Sequence, residues 1–269
     1  MQYLAQDSPS RLNPRRLILE MLNAEPDFMG NGRRLVAAGQ VFRFTENQVR
    51  VALSRLVADG LLFQPRRGHY GLTGAATAIQ REVQNWRDLE QRLQPWSGDW
   101  CGVLTDSLAA QGSTQLRTQS RALALRGLQR WRPGLWVRPN NLSGGHVRLG
   151  EELLALGLDA MKGQCLITQG DASCEAGLRA LWNNAGLEAE YQQRIAQLQA
   201  SCERLDSPDL PSVLIETIEL GGDTIGVLLK DPLLPDDIAS GDSRRQLIRL
   251  LREYDNRGRQ QWRHFIQQL

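Results

Sequence analysis

Residues 45–72 read TENQVRVALSRLVADGLLFQPRRGHYGL, which combines the signals of a capped helix and of two short strands. Thr45 is a suitable N-cap, and Gln48, three residues later, completes a capping box. Apolar residues then recur at helical spacing, and Gly60 suits the position just after a helix C-terminus. The segment therefore predicts an amphipathic helix that is followed by a hairpin with a basic turn.

The two faces of this helix differ in chemistry. Val49, Leu53, Leu56 and Val57 fall on one side and form an apolar stripe suited to burial. The other side carries amides, a hydroxyl, arginines and a valine, which are groups that read base edges and thymine methyls in a major groove. DNA binding is the favoured interpretation of this face. The alternative is an ordinary surface helix beside a hairpin.

Two shorter predicted helices precede this segment, one beginning at Pro14 and one over Arg33–Phe42. Three helices followed by a basic hairpin are typical of a winged helix-turn-helix, whose third helix enters the major groove while the hairpin contacts the neighbouring backbone. We expect phosphate contacts from Arg50, Arg66 and Arg67, and from Arg33 or Arg34. The full set of DNA-binding candidates is Arg33, Arg34, Thr45, Asn47, Gln48, Arg50, Val51, Ser54, Arg55, Arg66, Arg67 and His69.

The distribution of charge supports this interpretation better than the total charge does. The whole chain carries a formal charge of only +2. Residues 28–72, however, contain seven arginines against Glu46 and Asp59, a local charge of +5. A positive field on this segment is what contacts with DNA phosphates require.

Residues 73–93 predict a long linker helix, because apolar residues recur there every three or four positions. These residues are Ile79, Val83, Trp86, Leu89 and Leu93. The stripe fits either a dimer seam or packing of the helix on its own domain. A homodimer is slightly favoured, since helix-turn-helix proteins commonly read two half-sites as symmetric dimers.

The remaining chain predicts two further domains, so that the predicted domains are 1–94, 95–172 and 173–269. Alternating strands and helices after the turn-rich residues 95–99 predict a small α/β sandwich of the ferredoxin-like kind, and the last domain has helical composition. The predicted class is therefore α+β. The predicted elements are strands Trp100–Thr105, Leu135–Arg138 and Gln164–Thr168, and helices Leu116–Gln129, Glu151–Leu158, Leu178–Ala185, Ala189–Leu205 and Arg244–Leu269.

Composition and motifs argue against a membrane protein and against an enzyme. No apolar run approaches the ~20 residues that span a bilayer, and no signal segment precedes Arg16. Four widely spaced cysteines indicate reduced thiols and a cytoplasmic protein. The three histidines are too far apart for a standard metal motif, and no nucleophile elbow or phosphate loop is present. The sequence predicts no catalytic residue, no metal site and no cofactor.

One further cluster is a candidate effector site. Trp131, Arg132, Trp136 and Arg138 surround a predicted strand, where tryptophan can stack on an aryl or adenine ring and arginine can pair with phosphate. The alternative, which we favour, is that Trp136 belongs to the core and that the arginines lie at the surface.

Taken together, these segments resemble the PaaX family of bacterial transcriptional repressors. The matching stretches are Val49–Thr73, Trp96–Trp100, Pro133–Leu142 and Asp231–Pro235, and they follow the family's order through the whole chain. The resemblance implies a winged helix-turn-helix, a middle domain similar to the ferredoxin-like CRISPR-associated nucleases, and a C-terminal helical domain.

The resemblance also implies a function. Members of the family are dimeric, bind operators of catabolic operons as double-stranded DNA, and are released by an aryl-CoA thioester such as phenylacetyl-CoA. The related nucleases place a metal-binding aspartate where Asp106 ends the first strand of the middle domain. A metal-dependent nuclease with two symmetry-related Asp106 side chains, or a protein-interaction module, is therefore the alternative to a regulator.

Overall fold

The structure is a computed structural model that describes residues 11–24, 30–105, 113–156, 158, 164–167 and 172–269. Helices and antiparallel strands are both present, so the predicted α+β class is confirmed. The described residues fall into two compact units. Unit 1 comprises the described residues within Met1–Arg87, Arg194–Gly226 and Leu247–Leu269, and unit 2 comprises those within Asp88–Gln193 and Val227–Gln246. This grouping differs from three consecutive domains, because residues 173–269 are divided between the units.

Unit 1 begins with three helices and a three-stranded antiparallel sheet. The elements are α1 (Pro14–Ala24), β1 (Gly30–Asn31), α2 (Gly32–Val41), α3 (Glu46–Ala58), β2 (Leu62–Arg66) and β3 (His69–Leu72). The strand order is β1-β3-β2. The predicted helices and hairpin are thus confirmed to within a few residues. The pairing of β1 with β3 was not predicted, since a two-residue strand leaves no periodic signal.

The prediction of one long helix over residues 73–93 is wrong. Helix α4 (Gly74–Gln84) is followed by a 3-10 helix (Asn85–Arg92) that is interrupted at Asp88, where φ is −111°. Trp86 and Leu89, from the predicted apolar stripe, are both buried within the single chain. Their burial favours packing of this stripe on its own chain over a dimer seam.

Unit 1 has a continuous apolar core to which the C-terminal helices α9 (Leu210–Leu229) and α10 (Asp242–Gln268) contribute. Its members include Leu17, Met21, Leu35, Val49, Leu53, Leu56, Leu214, Ile218, Trp262, Phe265 and Ile266. Phe42, which directly follows α2, stacks on Trp262 with ring centroids 5.9 Å apart and meets Phe265 edge-on at 5.5 Å. The three N-terminal helices therefore share their core with α9 and α10.

Gly39 allows α2 and α3 to approach closely. A Cβ atom at this position would lie 2.4 Å from Cγ2 of Val49, which is itself buried. We predict that Gly39→Ala lowers the free energy of unfolding by about 1–3 kcal/mol, because the two helices must separate. Gly226 of α9 has open space at the same atom, so Gly226→Ala is the matched control and should stabilise by about 0.5–1 kcal/mol. Urea unfolding of both variants checks this, and equal effects would contradict it.

Unit 2 contains a four-stranded antiparallel sheet with the order β5-β6-β4-β7. Its elements are β4 (Trp100–Leu104), α5 (Ser113–Leu125), β5 (Gln129–Arg132), β6 (Leu135–Pro139), α6 (Gly145–Ala155) and β7 (Gln164–Ile167). The three predicted strands are confirmed. Strand β5 was missed, because the predicted helix extended to Gln129 whereas α5 ends at Leu125. Helix α5 connects β4 to β5, and α6 connects β6 to β7. In each case another strand of the sheet lies between the two connected strands.

The C-terminal region differs from its prediction in two places. Helix α7 (Ala172–Arg179) ends before α8 (Asn184–Cys202) begins, so a helix over Leu178–Ala185 is wrong. Helix α9 was missed, and the adjacent glycines Gly221 and Gly222 lie inside it. Leu214 and Ile218 of this helix are buried in the core of unit 1, which outweighs the helix penalty of two glycines.

Candidate nucleic-acid interface

Helix α3 presents its polar face to solvent. Val49, Leu53 and Leu56 are buried, whereas Val51 is 41% exposed on the opposite face. The candidates for base contacts on that face are all exposed: Asn47, Gln48, Val51, Ser54 and Arg55. Val57, which was assigned to the apolar stripe, is 36% exposed at its margin. The division of faces predicted from the sequence is otherwise confirmed.

The N-terminus of α3 is closed by the predicted capping box. The Gln48 backbone N–H donates to Thr45 Oγ1 at 3.3 Å, and the Thr45 N–H donates to Gln48 Oε1 at 2.8 Å. Thr45 and Gln48 are therefore engaged in holding the helix end, although both are exposed. Only the amide nitrogen of Gln48 remains to donate to an acceptor on DNA.

Arg50 is exposed but paired within the helix. Its guanidinium contacts the Glu46 carboxylate at 2.6 Å, one turn earlier. Such an exposed i,i+4 pair contributes only about 0.3–0.5 kcal/mol, so a phosphate can replace Glu46 at little cost. The side chains of Asn47 and Arg55 make no hydrogen bond or ion pair within the described parts of the chain, although the Arg55 carbonyl accepts from the Asp59 N–H at the end of the helix. Their donors are free for an external partner.

The tip of the hairpin carries Arg66 and Arg67, both exposed. Arg66 Nη2 lies 3.1 Å from His69 Nε2, and His69 Nδ1 lies 3.3 Å from the Arg67 carbonyl oxygen. Because a guanidinium only donates, Nε2 accepts and the ring proton resides on Nδ1. His69 thus orients Arg66 instead of presenting a free donor of its own. Gly68, with φ of 77°, permits the tight turn between the strands.

The β1–β3 pairing brings the hairpin to the start of α2. The Gly32 N–H donates to the Gly68 carbonyl at 2.8 Å, and Asn31 pairs with His69. Arg33, the next residue, is exposed, and its backbone N–H is capped by Asn31 Oδ1. The predicted phosphate contacts of α2 and of the hairpin therefore lie on neighbouring segments.

Arg34 is less available than Arg33. It is half-buried, and its Nη2 donates to the Ile266 carbonyl near the end of α10 at 2.6 Å. Of the two arginines that the sequence offered as alternatives, the geometry favours Arg33 for a phosphate. Arg34 instead joins α2 to the C-terminal helix.

Two exposed residues near α3 were missed by the sequence reasoning. Arg43 lies between α2 and α3 in the left-handed region, with φ of 62°. Phe63 is 45% exposed on β2, which is an edge strand. Arg43 was counted in the local positive charge, and that count was the only signal that could have identified it.

The four candidate effector residues lie in different environments. Arg132 is exposed and stacks over Trp131, with its guanidinium carbon 4.6 Å from the ring centroid. Trp136 packs against the core that contains Cys101, Val103 and Leu153, as the alternative interpretation expected. Arg138 fits neither interpretation, because it is 3% exposed.

Arg138 is buried and joins several segments of unit 2 through hydrogen bonds. Its guanidinium donates to the carbonyl oxygens of Arg126, Pro139 and Pro232 at 2.6, 3.2 and 3.1 Å, and to Asn141 Oδ1 at 3.3 Å. Burial lowers the pKa of this side chain to about 10. The donors are directed at the chain's own oxygens, which leaves little for the phosphates of an effector.

We predict that Arg138→Met lowers the free energy of unfolding by about 2–4 kcal/mol, because four acceptor oxygens, most of them buried, lose their donor. Arg132→Met, at the exposed end of the same hairpin, is the matched control and should change it by less than ~0.5 kcal/mol. Thermal and urea unfolding of both variants measure this. A mild effect at Arg138 would contradict the bracing role.

Other kinds of site find no support in the described part of the chain. No group of three or more acidic, cysteine or histidine side chains there is arranged to hold a metal ion. No helix formed by those residues is both long and apolar enough to cross a bilayer. Asp106, the candidate metal ligand of the nuclease alternative, lies outside the described residues.

Comparisons with known proteins define the fold and leave the activity open. No family model and no curated protein matches the chain. Among solved structures, it is similar to an uncharacterized protein, Rv0674, from Mycobacterium tuberculosis, with a TM-score of 0.63 and 21% sequence identity. The match covers 93% of this chain and 98% of that chain, so the two share a fold over nearly their whole length.

Proposed function

We propose that the protein is a sequence-specific DNA-binding transcriptional regulator whose N-terminal part is a winged helix-turn-helix. One observation carries the proposal. Helix α3 buries its apolar face and exposes Asn47, Ser54 and Arg55, whose side chains have no hydrogen-bond partner among the described residues, in the same module as a hairpin tipped by two arginines. The connectivity α1-β1-α2-α3-β2-β3 supports this assignment.

In this proposal the residues have two roles. Asn47, Ser54 and Arg55 contact base edges from α3, and Val51 offers an apolar contact to a thymine methyl. Arg33, Arg50, Arg66 and Arg67 contact phosphates, and His69 orients Arg66. Thr45 and Gln48 cap the N-terminus of α3, so they support DNA binding mainly by stabilising the first turn of the helix.

The regulatory part of the proposal rests on the resemblance to PaaX-type repressors. It consists of a homodimer that represses a catabolic operon and is released by an acyl-CoA-type effector such as phenylacetyl-CoA. The β-α-β-β-α-β order of residues 100–167 supports a ferredoxin-like middle domain. We assign no residues to effector binding. The buried, hydrogen-bonded guanidinium of Arg138 argues against the cluster of Trp131, Arg132, Trp136 and Arg138 as the effector site.

Selection from a library of random DNA duplexes tests the proposal. We expect the wild-type protein to enrich one motif, and the Asn47→Ala, Arg55→Ala double variant to lose that enrichment while it still binds duplexes at low salt. Addition of phenylacetyl-CoA to the selected complex then tests the effector separately. If the wild type enriches no motif, the protein is not a sequence-specific DNA-binding protein, whatever the effector does.

A further inference from the structure

Unit 2 contains a cavity of about 240 Å³ that the proposed function does not use. Its apolar wall is formed by Leu187, Pro232, Leu234 and Ile238, and its polar wall includes Asn184 and Arg244. Sites for drug-sized ligands commonly span ~300–1,000 Å³, so an occupant of this cavity is smaller than a drug-sized molecule. It is also far smaller than a coenzyme A thioester.

Arg244 is nearly completely buried at this wall, with 4% of its side chain exposed. Its Nε donates to Glu90 Oε1 at 2.8 Å, and its Nη1 lies 3.8 Å from Asp231 Oδ1. Nη2 is buried and has no hydrogen-bond partner among the described residues. An unpaired donor on a buried guanidinium costs of the order of 1–3 kcal/mol, so it calls for an acceptor from outside the chain.

Asn184 supplies the complementary unpaired atom. Its Nδ2 donates to the Ile238 carbonyl oxygen at 2.9 Å, which fixes the orientation of the amide. Its Oδ1 is buried and has no donor among the described residues. Two residues that line the cavity thus carry one unpaired donor and one unpaired acceptor between them.

The charges around Arg244 argue that the ligand is uncharged. Glu90 and Asp231 already face its guanidinium, and Glu188, another lining residue, adds a further carboxylate. Asp231 is held by Tyr191, whose hydroxyl donates to Oδ2 at 2.5 Å, and by the Leu233 N–H at 2.6 Å. Burial raises the pKa of the Asp231 carboxyl. A second anion would therefore meet carboxylates already in place.

We propose that this cavity binds a small uncharged molecule that carries a carboxamide or lactam on an apolar body. The amide oxygen accepts from Arg244 Nη2, and the amide N–H donates to Asn184 Oδ1. The apolar body packs against Leu187, Leu234 and Ile238, which belong to or pack against the same apolar cluster as Trp182. This site is independent of DNA binding and of the acyl-CoA effector.

Ligand-observed NMR with three probes that share a phenyl ring tests the site: benzamide, benzoate and toluene. We expect benzamide to bind the full chain at least tenfold more tightly than benzoate or toluene. Ala239→Trp, at the half-buried edge of the cavity, should abolish the binding of benzamide. Asp237→Ala, an exposed neighbour that does not line the cavity, should leave it unchanged.

A second variant guards against misfolding of the first. Asn184→Ala should remove the preference for benzamide over toluene while the thermal unfolding curve stays cooperative. Absence of benzamide binding to the wild type would overturn the proposal, since the unpaired atoms would then be satisfied by water alone. Equal binding of benzamide and benzoate, or binding that Ala239→Trp does not change, would also overturn it.

Discussion

Trp262→Ala is expected to lower the free energy of unfolding of unit 1 by about 3–5 kcal/mol. Trp262 is 5% exposed and stacks on Phe42, the residue that ends α2. It also meets Phe265 edge-on at 5.9 Å, so its removal opens a cavity between α10 and the α2–α3 turn. Urea unfolding followed by far-UV circular dichroism measures the loss.

The neighbouring His264 provides the control for this variant. It is exposed on α10, and within the described chain its side chain forms a hydrogen bond only with Gln268. His264→Ala should change the free energy of unfolding by less than ~0.5 kcal/mol. If Trp262→Ala were equally mild, α10 would not be part of the core of the N-terminal module.

The same packing has a consequence for fragments. A fragment of residues 1–94 corresponds to the first domain predicted from the sequence, but it lacks Leu214, Ile218, Trp262, Phe265 and Ile266 from its core. It also lacks the Ile266 carbonyl that accepts from Arg34. We therefore expect this fragment to unfold without cooperativity or to aggregate, whereas the full chain unfolds cooperatively.

The second large effect concerns binding to DNA. The double variant Arg66→Ala, Arg67→Ala should weaken binding to every duplex, selected or random, by roughly a hundredfold, because two charge-assisted contacts to phosphate are lost. The slope of log K against log salt should fall by about 1.8, since each lost phosphate contact accounts for about 0.9. Fluorescence anisotropy at several salt concentrations measures both quantities.

Asn47→Ala should behave differently from the double variant. It should cost about 1–3 kcal/mol on the selected duplex at particular base pairs, with little change on random duplexes and in the salt slope. Arg249→Ala removes an exposed arginine of α10 outside the hairpin and α3, and should change neither quantity. If Asn47→Ala and the hairpin variant acted alike on both kinds of duplex, the division into base and phosphate contacts would be wrong.

The N-terminal module was largely predictable because its signals are local. The capping box at Thr45 and Gln48 and the apolar stripe from Val49 to Leu56 depend only on residues one or two turns apart. Such local patterns can be recognised without knowledge of the rest of the chain. The residues exposed on α3 follow from the same periodicity.

Contacts between residues that are far apart in the sequence explain what could not be predicted. Nothing near Phe42 in sequence indicates that Trp262 and Phe265 cover it, because more than two hundred residues separate them. Arg138 was expected at the surface, and only the carbonyls of Arg126 and Pro232 make its burial tolerable. Helix α9 contains two adjacent glycines and was missed because packing in the core overrode helix propensity.

Hydrogen–deuterium exchange of the full chain, with and without a duplex at low salt, tests the proposed interface most directly. Binding to phosphates at low salt needs no knowledge of the operator, so any duplex serves. We predict slower exchange in peptides that cover residues 30–34 and 45–72, and no change in α7 or in the exposed part of α8. Protection confined to other regions, or no protection under conditions where the duplex is bound, would contradict the assignment of α3 and the hairpin as the DNA-binding surface.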